Sequence, residues 1–285
     1  MEAHAKHSPS FAADTDGDGI SRRLFMLGGL LAAGLSLPAC KTSSVTADSG
    51  SSDAEQTRLL MRMMASATEA CVPWYYTGRI YAVRPGLAPE HLYNFEGSEI
   101  YWVKPLTPDR WSLSISTLTF YPDRETGAYL EHYTNPITGK LLEVNPNVMR
   151  SRPGQGAIYG GKTLTAFGST VPITMELHRD AEAAWLTTCR ASALGPQPAM
   201  EVNSIFSPTA EIDDGRRASV RATTSTVSLS RWSKWLDMGD ADGHLMWHSA
   251  GRKLRSFAEL PARYRQRADA LGPKHFENPE NDAAP

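Results

Sequence analysis

Polar side chains on predicted strands are the residues of this sequence best placed to hold a ligand. Alternate positions from Tyr129 to Asn135 share one face of a predicted strand, and those from Thr174 to His178 share a face of another. Either face would form a polar lining if it pointed into a barrel; the alternative is that both face solvent. The candidate ligand contacts are Arg79, Tyr81, Tyr133, Asn135 and His178.

Acid–base chemistry would need a carboxylate or an imidazole in a dry pocket, where burial can tune its pKa. His178 is the candidate general base, and the other groups that could take this role are the strand carboxylates Glu131, Glu176 and Glu201. Nothing in the sequence near Cys189 activates its thiol, and no Gly-x-Ser-x-Gly elbow occurs. The sequence therefore offers no activated nucleophile.

Two motifs resemble cofactor or metal sites but lack the required context. Residues 156–163 fit the P-loop pattern, yet no buried strand precedes them and no helical periodicity follows, which indicates a flexible Gly-rich loop or a hairpin lid. His244 and His248 would lie about 13 Å apart on a strand, too far for one ion. We therefore expect no cofactor and no metal, with one alternative left open, a three-histidine site assembled by folding from His91, His132 and His178.

Aromatic residues are concentrated early in the β-rich part of the chain. They are Trp74, Tyr75, Tyr76, Tyr81, Tyr101, Trp102, Trp111 and Tyr121. Such rings fill cores, but Tyr and Trp also line pockets because each ring carries one polar atom. The partner that this composition favours is a small lipophilic or aromatic molecule.

The elements that must position these residues are mostly strands. From Trp74 to about Leu229, runs rich in aromatic and β-branched residues alternate with Gly, Pro, Asn and Asp turns. Short connections predict an antiparallel meander, and about nine strands would close into a barrel, or pack as a sandwich, to remove exposed edges. The predicted strands cover residues 79–83, 100–103, 111–121, 128–135, 140–144, 171–179, 183–191, 199–206 and 217–229.

Helices are predicted on both sides of this β region. A capping-box pattern at residues 52–55 precedes apolar positions with helical spacing that include Leu60 and Met64. Two further helices are predicted, a short one from residue 230 and a second over residues 256–270.

The N-terminal residues have the pattern of an export signal. Ser-Arg-Arg-Leu-Phe-Met at residues 21–26 is a twin-arginine consensus. The apolar run of about 12 residues that follows covers roughly 18 Å, too short for a bilayer core of about 30 Å. Leu-Pro-Ala-Cys at residues 37–40 indicates a lipobox that would acylate Cys40, although its proline is unusual and cleavage without lipidation is the alternative. We expect a membrane-anchored lipoprotein of the cell envelope or periplasm, exported by the twin-arginine pathway.

The remaining cysteines are consistent with export but do not require a disulfide. Cys71 and Cys189 could pair in an oxidising compartment. Because twin-arginine substrates fold before they cross the membrane, a disulfide cannot be what makes this fold form. We expect two separate buried cysteines, with a disulfide as the alternative.

Charge and composition exclude one class of partner. The chain has 29 Lys and Arg against 31 Asp and Glu, a net charge of −2, and no run of basic residues. Nothing therefore drives it toward nucleic acid. The hydrophobic fraction of 41% is enough for one sizeable core.

Five segments in order along the chain resemble a known family. They are residues 74–81, 121–127, 135–140, 232–235 and 251–254. Together they resemble the bacterial exported proteins grouped as domain of unknown function family 1838, over roughly residues 55–275. The resemblance implies export, often with a twin-arginine signal, and it transfers no activity and no catalytic residue.

These observations predict a mainly β protein, an antiparallel meander closing into a barrel or sandwich, with an N-terminal helix and C-terminal helices packed on it. The leading hypothesis is an exported, lipid-anchored envelope protein with a pocket for a small lipophilic or aromatic ligand. The alternatives are a cofactor-independent lyase, hydratase or isomerase using the same pocket, and a structural envelope lipoprotein. The predicted divisions are a signal peptide (1–39), a flexible tether (40–52), one β-rich domain (53–275) and a disordered tail (276–285).

Overall fold

The computed structural model describes residues 46–47, 51–166, 168–191 and 200–282. The predicted signal peptide and Cys40 lie outside the described residues, as does most of the predicted tether. The strands are β1 (Thr46–Ala47), β2 (Ala70–Val83), β3 (Glu90–Thr107), β4 (Arg110–Phe120), β5 (His132–Thr134), β6 (Leu141–Glu143), β7 (Asn147–Arg150), β8 (Ala157–Gly160), β9 (Thr163–Ala166), β10 (Ser169–Pro172), β11 (Thr174–Arg179), β12 (Ala183–Ala191), β13 (Met200–Pro208), β14 (Thr223–Ser230) and β15 (His244–Lys253).

Helices precede, interrupt and follow this series. The α-helices are α1 (Asp53–Met64), α2 (Thr209–Asp213) and α3 (Ala262–Leu271). Short 3-10 helices are formed by Lys234–Leu236, Phe257–Glu259, Pro273–Phe276 and Pro279–Asn281. No helix within these ranges is long and apolar enough to cross a membrane.

Thirteen of the described strands form one antiparallel sheet that is curved into a nearly closed barrel. The hydrogen-bonded order is β1-β11-β12-β13-β14-β15-β2-β3-β4-β8-β9-β10, and β7 also pairs with β4. Most neighbours follow chain order, and the barrel curves round where the late strand β15 pairs with the early strand β2. At the other seam, β10 continues into β11 through the single residue Ile173. The predicted barrel-forming meander with helices on both sides is confirmed.

Alternation along each strand divides its side chains between the barrel interior and an outer layer. In β2, Trp74 and Tyr76 face the interior, whereas Tyr75 and Arg79 face outward. A glycine makes room where the rings are crowded: a Cβ on Gly97 would lie 2.5 Å from the Tyr76 hydroxyl oxygen. The Tyr76 ring of β2 therefore lies over Gly97 of β3, where any side chain would clash with it.

Helix α1 covers the apolar end of the barrel interior. Its predicted capping box is present, and its apolar face belongs to one cluster with inward side chains of the strands. Trp74 Nε1 donates a hydrogen bond to the Met64 main-chain oxygen over 2.7 Å. Lys253 Nζ donates to the main-chain oxygens of Arg62 and Ala65 over 2.9 and 3.0 Å. Because these carbonyl groups have no partner within the helix, hydrogen bonds from the strands hold the C-terminal end of α1.

The polar C-terminal residues are packed against the outside of β3 and β4. His275 is buried, with Nε2 2.7 Å from Ser98 Oγ and Nδ1 2.9 Å from Ser116 Oγ. The prediction that residues 276–285 are disordered is therefore wrong up to Asp282, the last residue described. The polar composition of this segment suggested disorder, but its polar side chains form hydrogen bonds and ion pairs with the barrel, for example between Asp282 and Arg150.

The P-loop-like residues 156–163 belong to the β8–β9 hairpin and do not form a flexible loop. Gly161 and Lys162 have positive φ values of 55° and 58° at the turn between the two strands, as a tight hairpin requires. Lys162 Nζ lies 2.8 Å from Asp53 Oδ1 at the start of α1. The lysine of the motif thus connects the hairpin to a helix and has no phosphate-binding geometry.

The two cysteines within the described residues are both free. Cys71 is exposed, and Cys189 is half-buried on the outer face of β12. They are therefore separate, as expected, but the expected burial is wrong for Cys71.

Candidate functional site

The barrel interior contains a cavity of about 400 Å³ that is partly open to solvent. Inward side chains of β2–β4, β7 and β12–β15 line it, together with Met64 of α1. On the side of β8–β11, apolar residues fill the interior. The volume falls within the range of small-molecule sites, about 300–1,000 Å³.

An ion pair between neighbouring strands lies in the cavity wall. Arg190 of β12 and Glu201 of β13 are opposite each other in the register, and Arg190 Nε and Nη2 donate to Glu201 Oε1 over 3.2 and 2.9 Å. Burial acts to lower the pKa of Arg190, but the neighbouring Tyr159 and Glu201 outweigh it and raise that pKa. The guanidinium is therefore charged and already neutralised within the wall.

A second carboxyl group faces the same cavity without a cation partner. Glu99 of β3 is half-buried, and no salt bridge in the described part of the chain includes it. Burial raises the pKa of the Glu99 carboxyl and the negative charge of Glu201 adds to the rise, while the hydroxyls of Tyr101 and Thr117 and the charge of Arg190 act to lower it. The net shift is upward, so the protonated form of Glu99 is more accessible than it is in water.

An unsatisfied hydroxyl lies next to Glu99. Thr117 of β4 is opposite Glu99 in the β3–β4 register and lines the same cavity. Its Oγ1 is buried, with no hydrogen-bond partner among the residues that the structure describes. Buried hydroxyls are normally paired, so this position has hydrogen-bonding capacity that the protein leaves unused.

Aromatic rings form one side of the cavity. Phe95 lies 5.2 Å from Trp247 and 6.0 Å from Tyr76, measured between ring centroids. The Tyr76 hydroxyl is 2.7 Å from Thr119 Oγ1, and Trp74 Nε1 is bonded to α1. Because these polar atoms are engaged, the rings present mainly apolar surface to the cavity.

Small polar side chains of β13 and β14 form another part of the wall. Asn203 Oδ1 accepts hydrogen bonds from Thr224 and Thr226, the second over 3.1 Å. Ser228 follows them on the same face of β14 and also lines the cavity. The interior thus combines aromatic surface with a limited set of hydroxyl and amide groups, as ligand sites commonly do.

The residues chosen from β2 and β11 lie on the outside of the barrel. Arg79 is exposed, and the ring of Tyr81 lies 5.3 Å from that of His91 on the outer side of β2. His178 is on the outer face of β11, where its ring stacks on Trp185 at 5.5 Å. None of these three lines the cavity, and they do not come together in one place.

Tyr133 and Asn135 lie in a hairpin outside the barrel sheet. The Tyr133 ring is 5.2 Å from that of Tyr93, within an aromatic cluster. Asn135 is buried, and its Nδ2 donates to the Leu236 main-chain oxygen over 2.8 Å while its Oδ1 accepts from Ile137 N over 2.9 Å. These contacts hold the hairpin against the neighbouring segment, so Asn135 has a structural position.

Histidines do not assemble into a metal site in the part of the chain that the structure covers. No group of three or more His, Cys, Asp or Glu side chains there is arranged to hold an ion. His244 and His248 lie on β15, four positions apart along an extended strand.

Sequence reasoning considered Glu201 only as one strand carboxylate among several, and it missed Arg190 and Glu99. A signal for Arg190 was available, because it continues the alternate positions of Leu186 and Thr188 in a predicted strand. A charged residue that continues an apolar face indicates a buried polar site. Glu99 lies just before the predicted strand 100–103, whereas the observed strand β3 begins at Glu90, so the same signal did not reach it.

The fold and the cavity together define a mainly β protein with a nearly closed antiparallel barrel and an interior cavity that is partly aromatic and partly polar. Residues 69–284 match the family described as "Protein of unknown function (DUF1838)". The chain belongs to this family, as the ordered motifs predicted. Comparisons with curated proteins and with solved structures gave no match.

Proposed function

We propose that the barrel interior binds one small molecule that is mainly apolar or aromatic. The observation that carries this proposal is the cavity of about 400 Å³ with rings on one side and a few polar groups on the other. Aromatic walls supply the apolar contact that drives binding, and a few polar groups fix the ligand's orientation. A barrel of this size has room for one such ligand.

The proposal includes the cellular setting that the N-terminal sequence predicts. We propose export by the twin-arginine pathway and anchoring in the cell envelope through a lipid on Cys40. The support is the twin-arginine motif at residues 21–26, the short apolar run after it and the lipobox-like residues 37–40. With the binding proposal, this gives a ligand-binding domain held close to a membrane.

A second candidate function is a cofactor-independent lyase, hydratase or isomerase acting in the same cavity. Glu99 favours it, because a carboxyl with a raised pKa in a cavity wall can donate a proton and take one back. His178, the candidate base from the sequence, faces away from the cavity, so Glu99 takes this role in the proposal. An enzyme of this kind would lose turnover in Glu99→Gln while its fold survived.

The test is to produce the full precursor in a host with a twin-arginine pathway and to purify it from membranes in mild detergent. Native and denaturing mass spectra of one sample are then compared. We expect a small mass that is present only in the native spectrum. Its absence would contradict the binding proposal and favour a structural envelope lipoprotein.

Two variants on one strand test whether a bound molecule lies in the cavity. Thr226→Trp fills the cavity from β14, so the extra mass should disappear from its native spectrum. Thr223 is exposed on the outer face of the same strand, so Thr223→Trp should keep the bound molecule. Circular dichroism of both variants checks the fold, and Ser249→Leu is a smaller filling change on β15. Equal retention by all three variants would place the mass elsewhere.

The same denaturing spectrum tests the lipid anchor. Acylation predicts a mature chain that begins at Cys40 and carries extra mass there. A mature chain without that mass contradicts lipidation, and an uncleaved N-terminus contradicts export through this signal.

A further inference from the structure

The charged groups that line the cavity cancel one another. Of the lining residues, only Glu99, Arg190 and Glu201 are acidic or basic. Arg190 and Glu201 neutralise each other at 2.9 Å. Glu99 has no cation partner in the described ranges, and an ionised carboxylate would be costly there. The cavity therefore offers hydrogen-bond donors and dipoles to a ligand but no free charge.

Arg190 is poorly placed to receive an anionic ligand. Two of its nitrogens donate to Glu201, and Nη1 lies 3.5 Å from the Tyr159 hydroxyl oxygen. An incoming carboxylate would have to displace Glu201 and leave that group buried and unpaired. Removing one partner of a buried ion pair is more costly than the pair itself is stabilising. A cationic ligand would find the Arg190–Glu201 pair already neutral and only Glu99 as an anionic partner, and burial disfavours the ionised form of that carboxyl.

Glu99 and Thr117 lie next to each other in the cavity wall, and the hydroxyls of Thr117 and Tyr101 are close enough to the Glu99 carboxyl to influence its pKa. They are opposite each other on neighbouring strands, which puts their Cβ atoms about 5 Å apart. Thr117 is 8% exposed and its Oγ1 has no partner within the described chain. A protonated carboxyl donates one hydrogen bond and a hydroxyl donates another, and one carbonyl oxygen has lone pairs for both.

We infer that the cavity takes an uncharged carbonyl compound, whose oxygen accepts hydrogen bonds from Glu99 and Thr117 while its apolar body packs against the rings of Phe95 and Trp247. This inference rests on the proposed binding function and specifies its ligand class. It also assigns separate roles to the polar groups: Glu99 and Thr117 contact the ligand, and the ion pair of Arg190 and Glu201 maintains neutrality.

Three probes of similar size test the inference, and each carries a benzene ring. Acetophenone has an uncharged carbonyl group, ethylbenzene has no oxygen, and benzoate has a negatively charged carboxylate. Ligand-observed NMR titrations of the full chain give each Kd. Because ethylbenzene is the more hydrophobic probe, the informative quantity is the ratio of the ethylbenzene Kd to the acetophenone Kd.

This ratio should fall about threefold to tenfold in Glu99→Met, the effect of one hydrogen bond. It should fall by a smaller factor in Thr117→Val. In Glu99→Gln, which keeps a donor, the ratio should return to within about twofold of the wild-type value. Benzoate should bind at least about tenfold more weakly than acetophenone, since its charge has no partner in the cavity.

The outcomes distinguish failure of the carbonyl assignment from failure of the proposed binding function. Probes that bind with the same ratio in wild type and Glu99→Met, or benzoate as the tightest ligand, overturn the carbonyl assignment and leave the binding function standing. If no probe binds, or if Thr226→Trp binds all of them as wild type does, the binding function itself fails and the inference fails with it.

Discussion

Removing Arg190 alone should destabilise the protein more than removing both members of its ion pair. The Arg190 and Glu201 side chains are 21% and 25% exposed, and their nitrogen and oxygen are 2.9 Å apart. Arg190→Met leaves Glu201 without its cation in a wall that also contains Glu99. Loss of one partner from a buried pair costs about 3–5 kcal/mol. Because some of each side chain is accessible, we expect the lower end of that range, about 3 kcal/mol.

The double variant Arg190→Met/Glu201→Met should recover most of this loss. Two apolar side chains of similar volume replace a buried pair at little cost, so we expect a net change within about 1 kcal/mol of wild type. The two single variants and the double variant form a cycle, measured by urea unfolding of the full chain followed by circular dichroism. The expected coupling energy is at least about 2 kcal/mol.

An exposed ion pair provides the matched control. Lys140 and Asp237 are 2.6 Å apart, but their side chains are 51% and 57% exposed. Lys140→Met should therefore cost less than about 1 kcal/mol, since water screens such pairs. The reasoning is refuted if Arg190→Met costs no more than this control, or if the double variant costs as much as the two single variants together.

Three further predictions concern residues outside the cavity. Burial, with the charge of Arg150 adding to it, lowers the pKa of His275 to about 4. Stability should therefore be complete above about pH 6.5 and fall by about 3 kcal/mol as the pH drops toward 4, since only the unfolded chain takes up the proton. Urea unfolding of wild type and His275→Gln measures this effect, and equal pH slopes would contradict it. Asn135→Ala removes the donor to Leu236 and should cost about 1–3 kcal/mol in urea unfolding without loss of bound ligand. His178→Ala should change stability by less than about 1 kcal/mol, and loss of ligand in its native mass spectrum would return His178 to the candidate site.

The fold was predictable because its signals are local. The strict alternation from Trp111 to Thr117 and the turn residues between runs are properties of short segments. Short connections then favour antiparallel neighbours without knowledge of the rest of the chain. The strand β15 escaped prediction because glycines at residues 243 and 251 interrupt this local pattern, although it is the strand that completes the barrel.

The site was not predictable in the same way because period two identifies two faces of a strand but not which one points inward. In β2, Arg79 and Tyr81 were chosen, while Trp74 and Tyr76 on the opposite face line the cavity. The pairing of Arg190 with Glu201 depends on the β12–β13 register, which no short segment encodes. Tyr133 lies on the strand β5 and Asn135 directly after it, but β5 belongs to a separate hairpin.

The pairing of β15 with β2 also determines when this domain can finish folding. Trp74 is opposite Lys253, about 180 residues later in the chain. Closing such a long loop costs entropy before the pairing returns any stabilisation, which makes contacts of this kind slow to form. A nascent chain that ends before residue 244 leaves β2 and β14 as unpaired edges, a state prone to aggregation. The barrel therefore becomes complete only when nearly the whole chain has been synthesised.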